Sequence, residues 1–221
     1  MSFADFFAEY WWQLALVAVL SYTFGCVNYA VVFSKAFKHC DIRTLGSKNA
    51  GTTNMFRVFG LRMGALTFVC DALKGVIPCL LCLVIFKNSG MQLQFAYWAG
   101  LFAVVGHVFP VLYRWRGGKG VATSIGVCFA VQPLLSLCCV LPAIAIILIF
   151  DRMSVMSLLL SVFMIVWHWC VLFDSVQVTG CVFATVTFSI VILAHWQNII
   201  RIFSGKELKT GVRKSIFGRK K

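Results

Sequence analysis

Long apolar runs alternate along this chain with short stretches rich in glycine, hydroxyl groups and positive charge. Several of the runs approach the ~20 residues that an α-helix needs to cross a bilayer. The first, residues 11–32, opens on Trp11 and Trp12, whose indole rings favour a membrane interface, and is ended by Lys35 and Lys38. A polar stretch, 35–62, leads into a second run at about 61–86, which Lys87-Asn88-Ser89-Gly90 closes. The third, about 93–113, delivers a glycine-dense cationic turn. Two later runs, 154–173 and 177–195, are separated at Asp174-Ser175. Between them and the turn lie residues 121–150, about 45 Å if wholly helical, long for one crossing and short for two.

Charge parity decides that segment. If the chain folds back at Gln132-Pro133, every Lys and Arg except Lys74 and Lys87 falls on one side of the membrane. If it does not, Arg152 and the basic C-terminal stretch move to the other side. The positive-inside rule selects the fold-back. The expected fold is therefore an all-α polytopic membrane protein: a seven-transmembrane-helix bundle with short spans, the N-terminus outside and the C-terminus cytoplasmic. Residues 206–221 read as a basic cytoplasmic tail, with Arg213-Lys214 and Arg219-Lys220-Lys221 held near anionic lipid.

Composition agrees with a membrane protein: 61% of the 221 residues are hydrophobic and 12% charged, and mean hydropathy is +0.90. The N-terminal twelve residues contain Asp5 and Glu9 but no Lys or Arg, so they lack the cationic start of a signal peptide and the first span is expected to stay. The formal charge of +13 is divided among short loops and not gathered in one arm, which disfavours nucleic acid and leaves anionic lipid headgroups and an anionic substrate. Eight of the ten cysteines, Cys26, Cys70, Cys79, Cys82, Cys128, Cys138, Cys139 and Cys170, lie in or beside apolar runs, where they act as small hydrophobes. Cys79 and Cys82 form a CxxC by coincidence. The four scattered histidines add no metal-ligand spacing, so no metal or other cofactor is expected.

Three polar clusters face the basic side. The first, 41–60, offers neutral donors in Ser47, Asn49, Thr53 and Asn54, the planar fork of Arg57, and backbone bends at Gly46 and Gly51. Helix caps and turns account for about two of these polar residues, not for all of them. The second, 106–123, contains Gly117, Gly118 and Gly120, which allow positive φ and a nest of N–H groups, with Arg114, Arg116 and Lys119 around it. A phosphate is its natural guest, although no P-loop spacing is present and a plain cationic loop at a membrane surface reads equally well from this stretch alone. His107, by itself, reads as a hydrogen-bonded helix-end residue. The third, 194–209, sets His195 and Asn198 three apart, on one helical face, where both can reach one ligand. Asp71 and Lys74, inside the second span, read as an i,i+3 ion pair stabilising the bundle. The hydroxyls that open the sixth span, Ser154 and Ser157, read as caps or as members of a phosphate site.

In this order and between these spans the clusters resemble those of the bacterial acyl-phosphate:glycerol-3-phosphate acyltransferase family, of the PlsY type. Gly46, Ser47, Asn49, Gly51, Thr53, Asn54 and Arg57 resemble its first motif. Residues 106–111 and 116–123 resemble the second, and His195, Asn198, Ile199, Arg201, Gly205 and Glu207 the third. Trp196 stands where the family often has a basic residue, Lys48 where glycine is frequent, and Arg116 where lysine is frequent. The resemblance implies one integral-membrane acyltransferase domain over 1–205, in a bacterial cell membrane with its active site facing the cytoplasm. It implies transfer of a fatty acyl group from acyl phosphate to the 1-hydroxyl of glycerol-3-phosphate, giving lysophosphatidic acid and phosphate for phospholipid biosynthesis. Under it Arg57, Lys119, the Gly117–Gly120 backbone and Ser47, aided by Ser157, clamp phosphate. His195 and Asn198 orient the attacking hydroxyl, and His107 supports the pocket wall. A functional link to an enzyme that makes acyl phosphate follows from the donor. An anion transporter would need polar residues along a path to both sides, and a lipid-binding scaffold would not need the donor density of 46–57.

Overall fold

The computed structural model describes residues 3–212, and among them every regular element is helical. The helices are α1 (Phe3–Gly25), α2 (Tyr29–Lys38), α3 (Thr52–Phe59), α4 (Leu61–Ile85), α5 (Gln92–Val108), α6 (Val121–Val131), α7 (Pro133–Phe150), α8 (Met153–Cys170), α9 (Phe173–Ala194) and α10 (Trp196–Phe203). Five helical stretches are long and apolar enough to cross a membrane, six if α9 and α10, bent by 56°, count as one. Helix α6 is apolar but has 11 residues, about 16 Å, roughly half the hydrocarbon thickness. Arg213, Lys214 and Arg219–Lys221 of the expected tail lie outside the described residues.

The first span differs from its sequence expectation. It begins at Phe3, because Phe6 and Phe7 pack edge-on against Phe95 and Trp98, each with ring centroids 5.4 Å apart. It breaks after Gly25, and a separate helix restarts where the Asn28 side chain accepts a hydrogen bond from Val31 N–H. The Gln132-Pro133 break is present. Helix α6 borders the cavity described below at Val121, Ile125 and Phe129 and α7 at Val140, Ile144 and Ile147, and the residue after α7, Asp151, accepts from Thr210 N–H. Gln132 takes a non-helical backbone, and Pro133 supplies no N–H to continue the α6 ladder.

The centre of the bundle is held by backbone-close crossings. A Cβ on Gly106 would lie 2.2 Å from Tyr22 O, so α1 and α5 meet main chain to main chain. A Cβ on Gly126 would lie 2.0 Å from Ala72 O, which does the same for α4 and α6. Van der Waals packing of small residues is what holds helices together where lipid removes the hydrophobic drive. Helix α5 is the most enclosed, while α7 buries Ser136 alone and turns one face to the cavity described below.

Candidate active site

The three polar clusters converge. One cavity of about 1070 Å³ is bordered by every site residue expected from the sequence: Ser47, Asn49, Gly51, Thr53, Asn54 and Arg57 from the first; His107, Gly117, Gly118, Lys119 and Gly120 from the second; His195 and Asn198 from the third; and Ser157. Its other half is apolar, lined by Ala65 and Phe68 of α4, Ile125 and Phe129 of α6, and Val140, Ile144 and Ile147 of α7.

Within the first cluster Asn54 organises the loop. Its Nδ2 donates to Leu45 O at 2.9 Å and Ile42 O at 3.3 Å, and its Oδ1 accepts from Ser47 N–H at 2.9 Å. That side chain shapes the turn, whereas Ser47, Asn49 and Thr53 make no side-chain hydrogen bond to any described residue. Gly51 caps α3 in extended backbone and lets the chain enter the helix that carries Arg57. One Arg57 Nη donates to Lys209 O at 3.2 Å; burial lowers this guanidinium's affinity for its proton, which Glu207 only partly offsets.

The glycine turn is built differently from a simple nest. Gly120 has a positive φ of 83°, whereas Gly117 and Gly118 do not and are there for space. A Cβ on Gly117 would lie 2.0 Å from His107 O, and one on Gly118 2.2 Å from His107 Nε2. The Gly118 N–H turns inward to His107 O at 3.1 Å. The cradle therefore falls to Lys119, Gly120 and the first turn of α6, whose N–H groups have no partner within the helix. Lys119 Nζ donates to Asn198 Oδ1. Burial, with Arg201 and Arg57 as like-charged neighbours and Glu207 opposing them, brings the Lys119 ammonium down to about 8 from 10.5. Its charge is thus lost as pH rises through about 8, not through the ordinary lysine range. The expected result is a free-enzyme kcat/KM that holds below pH 8 and declines above it. Lys119→Arg, which stays charged, removes that decline; an unchanged profile in the variant would dissociate the effect from Lys119.

His195 and Asn198 do not share one straight helical face. His195 stands at the corner where α10 leaves α9 at 56°, and its N–H bonds to Ile192 O in a tightened last turn. Both still border the cavity. His195 Nδ1 lies 2.8 Å from Val191 O, a carbonyl that can only accept, so the ring proton sits on Nδ1 and the Nε2 lone pair is left for the cavity. The turn of direction also separates the faces of α10: Asn198 is buried inward, while Trp196, Ile200 and Phe203 are exposed.

Glu207 and Arg201 stand in the third motif but were not among the expected site residues, and they tie the site together. The Glu207 carboxylate accepts from Ser154 Oγ at 2.7 Å, Asn198 Nδ2 at 2.6 Å and Arg201 Nε at 3.0 Å. Burial pushes this carboxyl up, but the three donors and the Arg201 charge outweigh it and hold it below its ordinary value. The stretch just beyond residue 205 is thus packed into the site, with Thr210 N–H donating to Asp151 O at 2.7 Å. Ser157 donates its hydroxyl proton to Met153 O at 2.9 Å, so it offers the cavity lone pairs and not a donor.

The family model for glycerol-3-phosphate acyltransferase matches residues 15–205. The chain belongs to that family. A glycerol-3-phosphate acyltransferase of Thermoanaerobacter sp. (strain X514) is 37% identical over 201 residues, covering 91% of this chain and 98% of the relative. The enzyme of the same description from Clostridioides difficile (strain 630) is 35% identical over 204 residues, covering 90% and 96%. Among solved structures, PlsY (YgiH), an integral membrane glycerol 3-phosphate acyltransferase, in its glycerol 3-phosphate form superposes with a TM-score of 0.81 at 31% identity, covering 93% of this chain and 99% of that one. Its lysophosphatidic acid form gives 0.77 at 29% identity, covering 89% and 95%. The chain is accordingly a multi-pass membrane acyltransferase.

Proposed function

We propose that this acyltransferase moves a fatty acyl group from acyl phosphate to the 1-hydroxyl of glycerol-3-phosphate, releasing lysophosphatidic acid and phosphate for phospholipid synthesis. The observation that carries the reading is a single cavity with two chemistries. At one end are Arg57, Lys119, Arg201 and the start of α6, enough positive charge and N–H donors for two phosphoryl groups; at the other is an apolar wall suited to an acyl chain. Ser47, Asn49 and Thr53 supply neutral donors to the same end, as do the backbone N–H groups from Lys119 into the first turn of α6.

Acyl phosphate is a mixed anhydride, so the leaving group is good and no protein nucleophile is required. The acceptor oxygen adds to the acyl carbon, the carbon–oxygen bond to phosphate breaks, and the hydroxyl proton, hydrogen-bonded to His195 Nε2 during attack, moves to the departing phosphate once the new carbon–oxygen bond has formed. His195 Nε2, with its lone pair, accepts from the attacking hydroxyl and aims it. Asn198, fixed between Lys119 and Glu207, keeps the cation and the histidine in register. Lys119 and Arg57 stabilise charge that grows on the carbonyl and phosphoryl oxygens.

In this reading the chain makes seven crossings of a bacterial cell membrane, α6 and α7 forming the short pair. The N-terminus is outside, and the site and the basic tail are cytoplasmic, in line with the charge asymmetry. Residues 1–205 form the domain and 206–221 the tail, whose first turn contributes Glu207. An acyl-phosphate-producing enzyme is the functional partner that the donor calls for. Purified protein with acyl phosphate and radiolabelled glycerol-3-phosphate tests the reaction: lysophosphatidate is expected, and its absence from wild type removes the proposal. His195→Ala should lower kcat by about 10²–10⁴ while leaving glycerol-3-phosphate binding largely intact. Equal turnover in that variant would remove the orienting role alone. Epitope tags at the two ends should be accessible from opposite sides of the membrane; access from one side contradicts the seven-span reading.

A further inference from the structure

The fully buried Lys74 ammonium, in the body of α4, is not simply paired with Asp71. Its Nζ lies 2.9 Å from Asp71 Oδ1, and also 2.7 Å from Val27 O, 3.3 Å from Gly25 O and 2.7 Å from His107 Nδ1. The carboxylate balances the charge, although neither of its oxygens makes a well-angled hydrogen bond. The three N–H groups of an ammonium are matched by three acceptors: two carbonyls at the break between α1 and α2, and the ring nitrogen. An ammonium has no lone pair. The nitrogen that faces it must therefore be the one with a lone pair, which sends the single proton of a neutral imidazole to Nε2.

That Nε2 lies directly beneath Gly118, where a Cβ would come within 2.2 Å of it. His107 borders the cavity while only 4% exposed, and its Nε2 bonds to no described residue. We propose that Asp71 and Lys74 are positioning residues that lock His107 as the Nε2–H tautomer, so that His107 donates a hydrogen bond to a phosphoryl oxygen seated against the Gly117–Lys119 turn. The helix break at 26–28 belongs to the same device, because an unbroken helix would have used the two carbonyls that hold Lys74. His107 is then a ligand donor with a fixed polarity, opposite to that of His195, whose cavity-facing nitrogen accepts. The inference rests on the phosphate-binding reading of the cavity and adds a specific donor to it.

The full chain, ¹⁵N-histidine labelled and reconstituted in nanodiscs, tests this. His107 is assigned by comparison with His107→Gln, and its tautomer is read from ¹⁵N–¹H correlations before and after titration with inorganic phosphate or glycerol-3-phosphate. A wild-type pattern with Nδ1 unprotonated and Nε2 protonated, and an Nε2 shift on adding ligand, supports the proposal. A shift with both ligands assigns the contact to phosphate itself; a shift with glycerol-3-phosphate alone assigns it to the acceptor's phosphate. A proton on Nδ1, or on both nitrogens, overturns it. Glutamine can present an N–H near the Nε2 position and asparagine cannot, so His107→Gln should keep glycerol-3-phosphate affinity within about threefold while His107→Asn loses about tenfold or more. Equal losses overturn the donor role. Lys74→Met should redistribute the ring proton; where that variant does not fold, the wild-type spectrum and the Gln/Asn pair still decide. Wild type that produces lysophosphatidate but shows no ligand-dependent Nε2 shift overturns this inference and leaves the proposed reaction standing.

Discussion

Arg57→Ala is expected to lower kcat/KM by about 10²–10³ with the protein still folded. Arg57 sits in a short helix whose start is set by Gly51, and among the described residues its guanidinium donates to Lys209 O alone, which leaves its other donors for the cavity that Lys119 and Arg201 also enter. A guanidinium can hold two phosphoryl oxygens in one plane, which an ammonium cannot, so Arg57→Lys should recover the charge but only part of the rate. The loss should appear in both the acceptor KM and kcat, because charge near the phosphoryl oxygens matters most as the anhydride breaks. Steady-state kinetics with the two variants, beside their thermal unfolding midpoints, check this. Wild-type kcat/KM in Arg57→Ala would remove the clamp assignment.

Glu207→Ala is the second large effect, and it acts on the architecture first. Glu207 is 8% exposed and gathers donors from the start of α8 and from two positions of α10. Without it the Arg201 guanidinium, 34% exposed, loses its ion-pair partner and the buried Asn198 amide loses the bond that fixes it, a loss of about 1–3 kcal/mol. A lower unfolding midpoint is expected together with a fall in activity, since Asn198 would no longer hold Lys119. Glu207→Gln should be intermediate, keeping an acceptor for Ser154 or Asn198 but turning an N–H toward Arg201. Because this carboxyl is held below its ordinary value, its contribution is present above about pH 4.5 and is lost as pH falls through the lowered value. An unfolding midpoint equal to wild type in Glu207→Ala would contradict the role.

The membrane class, the apolar runs and the chemistry of the three clusters are legible in the sequence because each depends on local composition. Helix α4 needs only its own hydrophobic run, the helix break needs Gln132-Pro133, and Ser47, Arg57, Lys119 and His195 stand out by residue type against an apolar background. The i,i+3 pairing of Asp71 with Lys74 is legible for the same reason, since one helical turn sets it. What only the tertiary structure decided depends on contacts between distant segments. The bend at His195, the inward turn of Gly118 N–H and the use of Asn54 within its own loop follow from where neighbouring helices leave room, and spacing carries no record of that. Glu207 joins the site because α8 and α10 meet beside it, and Lys74 reaches His107 because two carbonyls at the break after α1 stand across from it. Residue type supplied the charges and donors. Their direction, and the tautomers of two histidines, were settled by which acceptor each buried nitrogen faced, because a buried polar group must be satisfied by whatever the packing brings within about 3 Å.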